Sequence, residues 1–151
     1  YHIHATGSIE KDDFAKLSAE KKIDHDPRFV IREYIDDMPR LLAAADLVIS
    51  RAGALTLAEI AAMGRASILI PSPNVAENHQ YHNAMQLQKL GAAVVVEEKN
   101  LTGQKLIEIV DGLTQNAADL MEMGIKAKAL SQPDSLEKIW KTLEPHLEKV
   151  N

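Results

Sequence analysis

The stretch Leu47-Val48-Ile49-Ser50-Arg51-Ala52-Gly53-Ala54-Leu55-Thr56-Leu57-Ala58-Glu59 decides the fold of this chain. Its apolar beginning predicts a strand, and the alanine-rich run that ends at Gly64 predicts a helix, with a glycine turn between them. Backbone N–H groups in the first turn of a helix have no partner within the helix, and the helix dipole favours negative charge there. We therefore predict an anion site in which the N–H groups of residues 54–56 hold a phosphate.

A carboxylate, Glu59, lies within the first turns of the same predicted helix. A carboxylate accepts two hydrogen bonds at once and suits a vicinal diol, so a phosphate site beside it fits a nucleotide-sugar. Ala58 and Ile60 flank the glutamate and predict a mostly buried helix, in which an acid needs a partner. The alternatives are a solvated glutamate favoured by the helix dipole and a structural turn in which Gly53 supplies an unusual backbone angle.

The composition limits the classes of function. A length of 151 residues suffices for one domain with a core, and the net charge of −5 argues against a nucleic-acid surface and against charge-driven binding to anionic lipid. The absence of cysteine excludes disulfides and thiolate metal sites and fits a reducing cytosol. No apolar run approaches the ~20 residues that span a bilayer, and no signal peptide is visible. The sequence begins within an apparent strand and without Met, so we expect a fragment of a longer protein.

Short strand-like runs alternate with helical patterns along the chain. The strand candidates are residues 2–5, 29–34, 47–50, 67–71 and 93–96, and helices are predicted at residues 12–21, after Asp37, at 55–63 and at 77–90. Three runs within these strands, residues 47–49, 68–70 and 94–96, are continuously apolar, as parallel strands covered on both faces are. The alternation predicts an α/β fold with a right-handed, doubly wound parallel sheet, followed after residue 100 by a helical tail.

A second polar loop follows the predicted strand 67–71. Residues 71–80 concentrate amides and an imidazole, groups that bind sugar hydroxyls, although a polar loop entering a helix is an equally good interpretation. Ligands of such sheets lie at the carboxyl ends of the strands, so we expect this loop and the glycine turn to meet at one site. The adjacent Asp36 and Asp37 are interpreted as helix capping rather than a metal pair. His2 and His4 share a strand face, but no third metal ligand can be named.

Five segments of the chain together resemble a known family, the MurG family of bacterial UDP-N-acetylglucosamine transferases (glycosyltransferase family 28). The resemblance is to the C-terminal half of these enzymes and covers nearly the whole chain. The matching segments are Tyr34–Met38, Ala45–Thr56, Glu59–Ala61, Gln80–Ala84 and Leu90–Ala93.

The resemblance implies a GT-B architecture of two Rossmann-like domains, of which residues 1–151 would form part of the C-terminal, donor-binding domain without its first strand. The N-terminal acceptor domain would be absent. The resemblance also implies a role for each site residue. The backbone of Ile35 would contact uracil; the diphosphate would be held by Ala54, Leu55 and Thr56, the ribose by Glu59, and the sugar by His79 and Gln80. Arg51 would flank the site, either as an aid to the diphosphate or as a structural residue. His79 stands where the family often carries glutamine.

The activity implied by the resemblance is the transfer of N-acetylglucosamine from UDP-GlcNAc to lipid I, which forms lipid II for peptidoglycan. The catalytic base, the lipid I site and the membrane contact would lie on the absent domain, so no catalytic residue, metal or cofactor is expected in this chain, and the isolated chain should be inactive. The full protein would lie on the inner face of the cell membrane. Alternatives are the donor-binding subunit of a split, two-chain transferase, or another GT-B enzyme such as a UDP-GlcNAc epimerase or a glycolipid synthase.

Overall fold

A computed structural model describes residues 1–147, which divide into a first unit, Tyr1–Arg40, and a second unit that begins at Leu41. Strands and helices alternate, as the sequence predicts. The elements are β1 (His2–Ala5), α1 (Gly7–Glu20), β2 (Phe29–Arg32), α2 (Met38–Ala44), β3 (Leu47–Ser50), α3 (Ala54–Met63), β4 (Ala66–Leu69), α4 (His79–Lys89), β5 (Val94–Val95), α5 (Gly103–Thr114), α6 (Ala117–Lys128) and α7 (Ser135–Leu147).

All strand pairs in the described residues are parallel. In the first unit β1 pairs with β2, and His2 lies opposite Phe29. In the second unit the strand order is β3-β4-β5, and Leu47 lies opposite Ala66. The prediction of a parallel α/β fold is confirmed, and the hydrogen bonds place the five strands in two sheets, one in each unit.

The core of the second unit forms around β4, which is buried along its whole length. A central parallel strand is covered on both faces, which accounts for its apolar residues Ala66, Ile68 and Leu69. The strand also buries the polar Ser67. The core cluster consists of Ala52, Leu57, Ile60, Leu69, Ala84 and Ala93.

The C-terminal end of α3 is fixed by α6. Gly64 ends α3 in a left-handed conformation (φ 61°), which glycine adopts without steric cost. Gly124 of α6 packs directly against the Gly64 backbone, and the Lys128 ammonium donates to the Ala62 carbonyl oxygen. This cation satisfies one of the carbonyl groups that lack a partner at a helix end.

The helical tail after residue 100 is confirmed. Helices α5 and α6 begin at capping side chains: Thr102 accepts a hydrogen bond from the Lys105 amide, and Asn116 accepts one from the Ala118 amide. The apolar stripe of α7 is exposed to solvent, and its members are Leu136, Ile139, Trp140, Leu143 and Leu147.

Several boundaries differ from the prediction. The predicted strands 29–34 and 67–71 end earlier, at Arg32 and Leu69, and the helix predicted at 12–21 begins at Gly7. Helix α4 begins at His79 rather than at residue 77. The reason is backbone geometry, because Glu77 (φ 51°) and Asn78 (φ 53°) both adopt the left-handed conformation, which a helix cannot continue.

An aromatic stack joins the strands of the first unit to α1. The His4 ring stacks on Phe14 with a centroid distance of 4.4 Å, and His2 lies 5.7 Å from His4 on the strand. Burial, with a smaller contribution from the neighbouring His2, lowers the pKa of His4 below its usual value.

We expect the free energy of unfolding to fall as the pH drops below about 6.5, the usual pKa of histidine. The folded-state pKa of His4 is lowered, so the unfolded chain binds the proton more readily. The stabilisation is fully present above about pH 6.5 and is lost as the pH falls through the folded-state pKa. Urea unfolding at a series of pH values gives the free energy of unfolding at each pH. This free energy should depend less steeply on pH in His4→Phe than in the wild type. His82→Gln, which replaces an exposed histidine outside this stack, is the control for the loss of a histidine as such.

Candidate functional site

The glycine turn after β3 presents three unpaired amide groups at an exposed helix start. Gly53 has extended backbone angles (φ −67°, ψ 145°), and its carbonyl oxygen accepts the first helical hydrogen bond, from the Leu57 amide at 3.0 Å. The N–H groups of Ala54, Leu55 and Thr56 have no acceptor among residues 1–147. The Leu55 side chain is 82% exposed, so this end of α3 is open to solvent. The arrangement is that of a helix N-terminus able to bind an anion.

The backbone angle of Gly53 is one that any residue can adopt. A Cβ atom at this position would meet only the Thr56 Oγ1 atom, at an ordinary contact distance of 3.8 Å. The interpretation of Gly53 as a residue needed for an unusual backbone angle is therefore wrong. Neither conformation nor packing requires glycine here.

Glu59 and Ala58 are both exposed, so the expectation that α3 buries this carboxylate is wrong. The buried side of α3 is formed by Leu57, Ile60 and Ala61. Glu59 lies one helical turn after Leu55, on the same side as the open helix start. Its carboxylate has no hydrogen-bond or ion-pair partner in the described part of the chain, which leaves both oxygens available to a ligand.

The loop after β4 is held by the two residues that were predicted to contact the sugar. The Gln80 side-chain oxygen accepts a hydrogen bond from the Ser72 amide at 2.9 Å, and its NH₂ group keeps two donors. His79 Nδ1 lies 2.8 Å from the Ala76 carbonyl oxygen, so Nδ1 carries the proton. In the neutral ring, Nε2 of the exposed His79 is then an acceptor.

The structure brings the loops after β3 and β4 together, as the parallel sheet predicts. The Ile70 amide donates to the Ser50 carbonyl oxygen at 2.9 Å and extends the ladder between these strands. Arg51 Nη1 donates to the Ile70 carbonyl oxygen at 3.4 Å and also pairs with the Glu98 carboxylate.

The loop after β5 was not among the predicted site residues, although it leaves the same edge of the sheet. It contributes to a shallow cleft of about 340 Å³ beside the start of α4. The signal was present in the sequence, because polar residues 97–99 follow a predicted strand directly. The cleft is lined by Pro71, Pro73, Asn78, Tyr81, Glu97, Glu98 and Lys99.

Ile35, predicted to contact uracil, follows β2 in the first unit and is half-buried there. The other predicted site residues belong to the second unit, so the role of Ile35 stays a prediction. Within residues 1–147, no three His, Asp or Glu side chains form a group that could hold a metal ion. None of the helices described combines the length and the apolar character that crossing a membrane requires.

A family model, "Glycosyltransferase family 28 C-terminal domain", matches residues 1–139. The chain belongs to this family. The resemblance found in the sequence is thereby confirmed for residues 1–139, which are almost the whole chain.

Individual relatives agree with this assignment. A protein of Desulforamulus reducens is 42% identical over 144 residues, which cover 94% of this chain and 39% of the relative. A protein of Acetivibrio thermocellus is also 42% identical over 144 residues, covering 95% of this chain and 38% of the relative. Both carry the name UDP-N-acetylglucosamine--N-acetylmuramyl-(pentapeptide) pyrophosphoryl-undecaprenol N-acetylglucosamine transferase.

Among solved structures, the crystal structure of Acinetobacter baumannii MurG matches with a TM-score of 0.78 and 29% sequence identity. The match covers 95% of this chain and 40% of that chain. The family 28 domain described here therefore spans about two-fifths of the length of the relatives that it matches.

Proposed function

We propose that this chain is the donor-binding part of a transferase that moves N-acetylglucosamine from UDP-GlcNAc to lipid I. One observation carries the proposal: the N–H groups of residues 54–56 at the start of α3 are unpaired, and the unpaired, exposed Glu59 carboxylate follows Leu55 by one helical turn. Amide donors suit a diphosphate, and a carboxylate suits the ribose diol. The names of the relatives, which are UDP-N-acetylglucosamine transferases, support the choice of ligand.

With the diphosphate at the start of α3 and the ribose at Glu59, the donor leaves three further residues to be assigned. Gln80 would donate to the sugar through its NH₂ group, because its oxygen already holds the Ser72 amide. His79 would offer the Nε2 acceptor to a sugar hydroxyl, which gives the histidine a different hydrogen-bonding role from a glutamine amide donor. Ile35 would contact uracil through its backbone.

The proposed reaction is a single displacement with inversion at the anomeric carbon. The acceptor hydroxyl oxygen forms the new bond to C1 while the bond from C1 to the diphosphate oxygen breaks, and the electron pair leaves with UDP. The proton of the hydroxyl passes to a base outside this chain. The N–H groups at the start of α3 would stabilise the charge that develops on the departing diphosphate.

The acceptor and the membrane would be contacted by a part of the protein outside these 151 residues. The proposal places the complete enzyme at the inner face of the cell membrane, where its lipid-linked substrate lies. A separate partner chain could supply the same part in a split enzyme. Calorimetric titration of the complete protein with UDP-GlcNAc, UDP-glucose and UDP-galactose tests the substrate. Preference for UDP-galactose or UDP-glucose would favour a glycolipid synthase instead.

We expect Glu59→Ala to weaken UDP binding about tenfold, because the ribose diol loses hydrogen bonds to a charged carboxylate, and about 1.4 kcal/mol of binding free energy corresponds to a factor of ten. Calorimetry on the 151-residue chain measures the affinity. The control is the ligand 2′-deoxy-UDP, which lacks one ribose hydroxyl. The wild type should bind it more weakly than UDP, and Glu59→Ala should bind the two alike. If the wild type and Glu59→Ala had the same ratio of UDP affinity to 2′-deoxy-UDP affinity, the ribose assignment would be refuted.

A further inference from the structure

The Arg51 side chain connects three segments that leave the same edge of the second sheet. It follows β3 directly, donates to the carbonyl oxygen of Ile70 after β4, and pairs with the carboxylate of Glu98 after β5. Glu98 lies 47 residues further along the chain. We call this group of Arg51, the Ile70 carbonyl and Glu98 the strand-end clasp.

The strand-end clasp acts on the turn that precedes α3. Arg51 and Gly53 are separated only by Ala52, which is completely buried in the core cluster. Ala52 thus anchors the backbone on the core side, while the Arg51 side chain anchors it on the solvent side. A shift of the backbone at Arg51 would change where the N–H groups of residues 54–56 point. Because hydrogen bonds are strongly directional, such a shift weakens the binding of an anion by these groups.

The environment of Arg51 favours a role in positioning the backbone rather than direct contact with the diphosphate. One nitrogen, Nη1, serves both the Ile70 carbonyl and the Glu98 carboxylate, so the charge is already paired. The side chains of Arg51 and Glu98 are 54% and 42% exposed. A half-exposed ion pair contributes little to global stability. An effect on ligand affinity that exceeds the effect on stability would therefore report positioning.

We propose that Glu98 is a positioning residue that, through Arg51, holds the α3 start in the geometry that binds a diphosphate. This inference rests on the proposed function. Glu98 touches neither the diphosphate nor the reacting atoms, and its effect passes through the Arg51 side chain.

The test measures UDP affinity by calorimetry and the melting temperature of the 151-residue chain. Glu98→Ala should lower UDP affinity roughly five- to tenfold with little change in melting temperature. Glu98→Gln keeps an oxygen acceptor for Arg51 and should retain most of the affinity. The double variant Arg51→Ala, Glu98→Ala should bind UDP no more weakly than Arg51→Ala alone, because either change already removes the ion pair between these two residues.

Glu137→Ala is the matched control. It removes a carboxylate with the same change in charge, but Glu137 pairs with Lys141 within α7, at 2.6 Å, instead of reaching Arg51. Its UDP affinity should stay within about twofold of the wild type. Should Glu98→Ala lower the melting temperature strongly, Glu98→Asp, which keeps the charge and shortens the reach, should still lower affinity at a wild-type melting temperature.

Three results would overturn the inference. Equal affinities for Glu98→Ala and Glu137→Ala, in a chain that binds UDP, would remove the positioning role and leave the proposed function intact. A gain in affinity for Glu98→Ala would mean that Glu98 competes with the diphosphate for Arg51. A wild-type chain without measurable UDP affinity would overturn the proposed function and this inference together.

Discussion

Ala54→Pro should lower UDP affinity by roughly 10- to 100-fold while leaving the fold intact. Proline removes the N–H group of residue 54, and a hydrogen bond to a charged group contributes roughly 1.5–3 kcal/mol. The substitution suits the site because Ala54 is the first residue of α3, where proline is well tolerated. Gly53 already has the extended backbone (ψ 145°) that a residue before proline prefers.

Gly103→Pro provides the matched control for this substitution. Gly103 is the first residue of α5 and follows the extended Thr102 (ψ 156°), and a Cβ atom added to it would have no neighbour within 4 Å. The variant should fold and bind UDP like the wild type. Calorimetry gives the affinities, and thermal melting monitored by circular dichroism verifies the fold. Unchanged affinity for a folded Ala54→Pro would show that this amide does not hold the diphosphate.

Gly124→Ala should destabilise the chain by about 3 kcal/mol, at the upper end of the usual cost of overpacking. A Cβ atom at Gly124 would lie far inside van der Waals distance of the Gly64 carbonyl oxygen and 3.3 Å from its carbonyl carbon. These are backbone atoms and cannot rotate away. Gly64 is itself fixed, because its amide donates to Ala61 and the following Arg65 amide donates to Ile60.

Gly112→Ala distinguishes this clash from a general effect of replacing a helical glycine. Gly112 lies in α5, and a Cβ atom added there would meet open space. Alanine at this position should stabilise the chain by up to about 1 kcal/mol through helix propensity. Urea unfolding of both variants measures the difference. A Gly124→Ala chain as stable as the wild type would mean that α6 does not pack this closely on the end of α3.

The prediction for Gly124 also bears on the site. Helix α3 carries the proposed diphosphate contacts at its start, and α6 fixes its end through Gly64 and through Lys128, which reaches the Ala62 carbonyl. Lys128 lies 66 residues from Ala62 in the sequence. The packing of α6 therefore holds the opposite end of the helix whose start carries the proposed contacts.

The sequence predicted most of the second unit correctly for local reasons. Continuous apolar runs mark buried parallel strands, and Gly64 marks the end of α3 because a left-handed residue follows the helix there. Parallel strands deliver their following loops to one edge, so the meeting of the loops after β3 and β4 was predictable from strand order alone.

Other features of the candidate site depend on neighbours that local patterns do not reveal. Ala58 and Ile60 suggested a buried Glu59, but α3 turns only one side to the core and leaves Glu59 in solvent. Helix α4 begins late because Glu77 and Asn78 adopt left-handed angles in a loop that Gln80 ties to Ser72.

By itself, the sequence determined the alternating α/β fold, the family and the helix start at α3 on which the proposed anion site lies. These features follow from periodicity and from helix-end chemistry, which act over a few residues. Only the tertiary structure decided that Arg51 pairs with Glu98, that Gly124 must be glycine, and that Gly53 needs no special backbone angle. Contacts between residues 47 or more positions apart arise from packing of whole elements, and no local pattern encodes them.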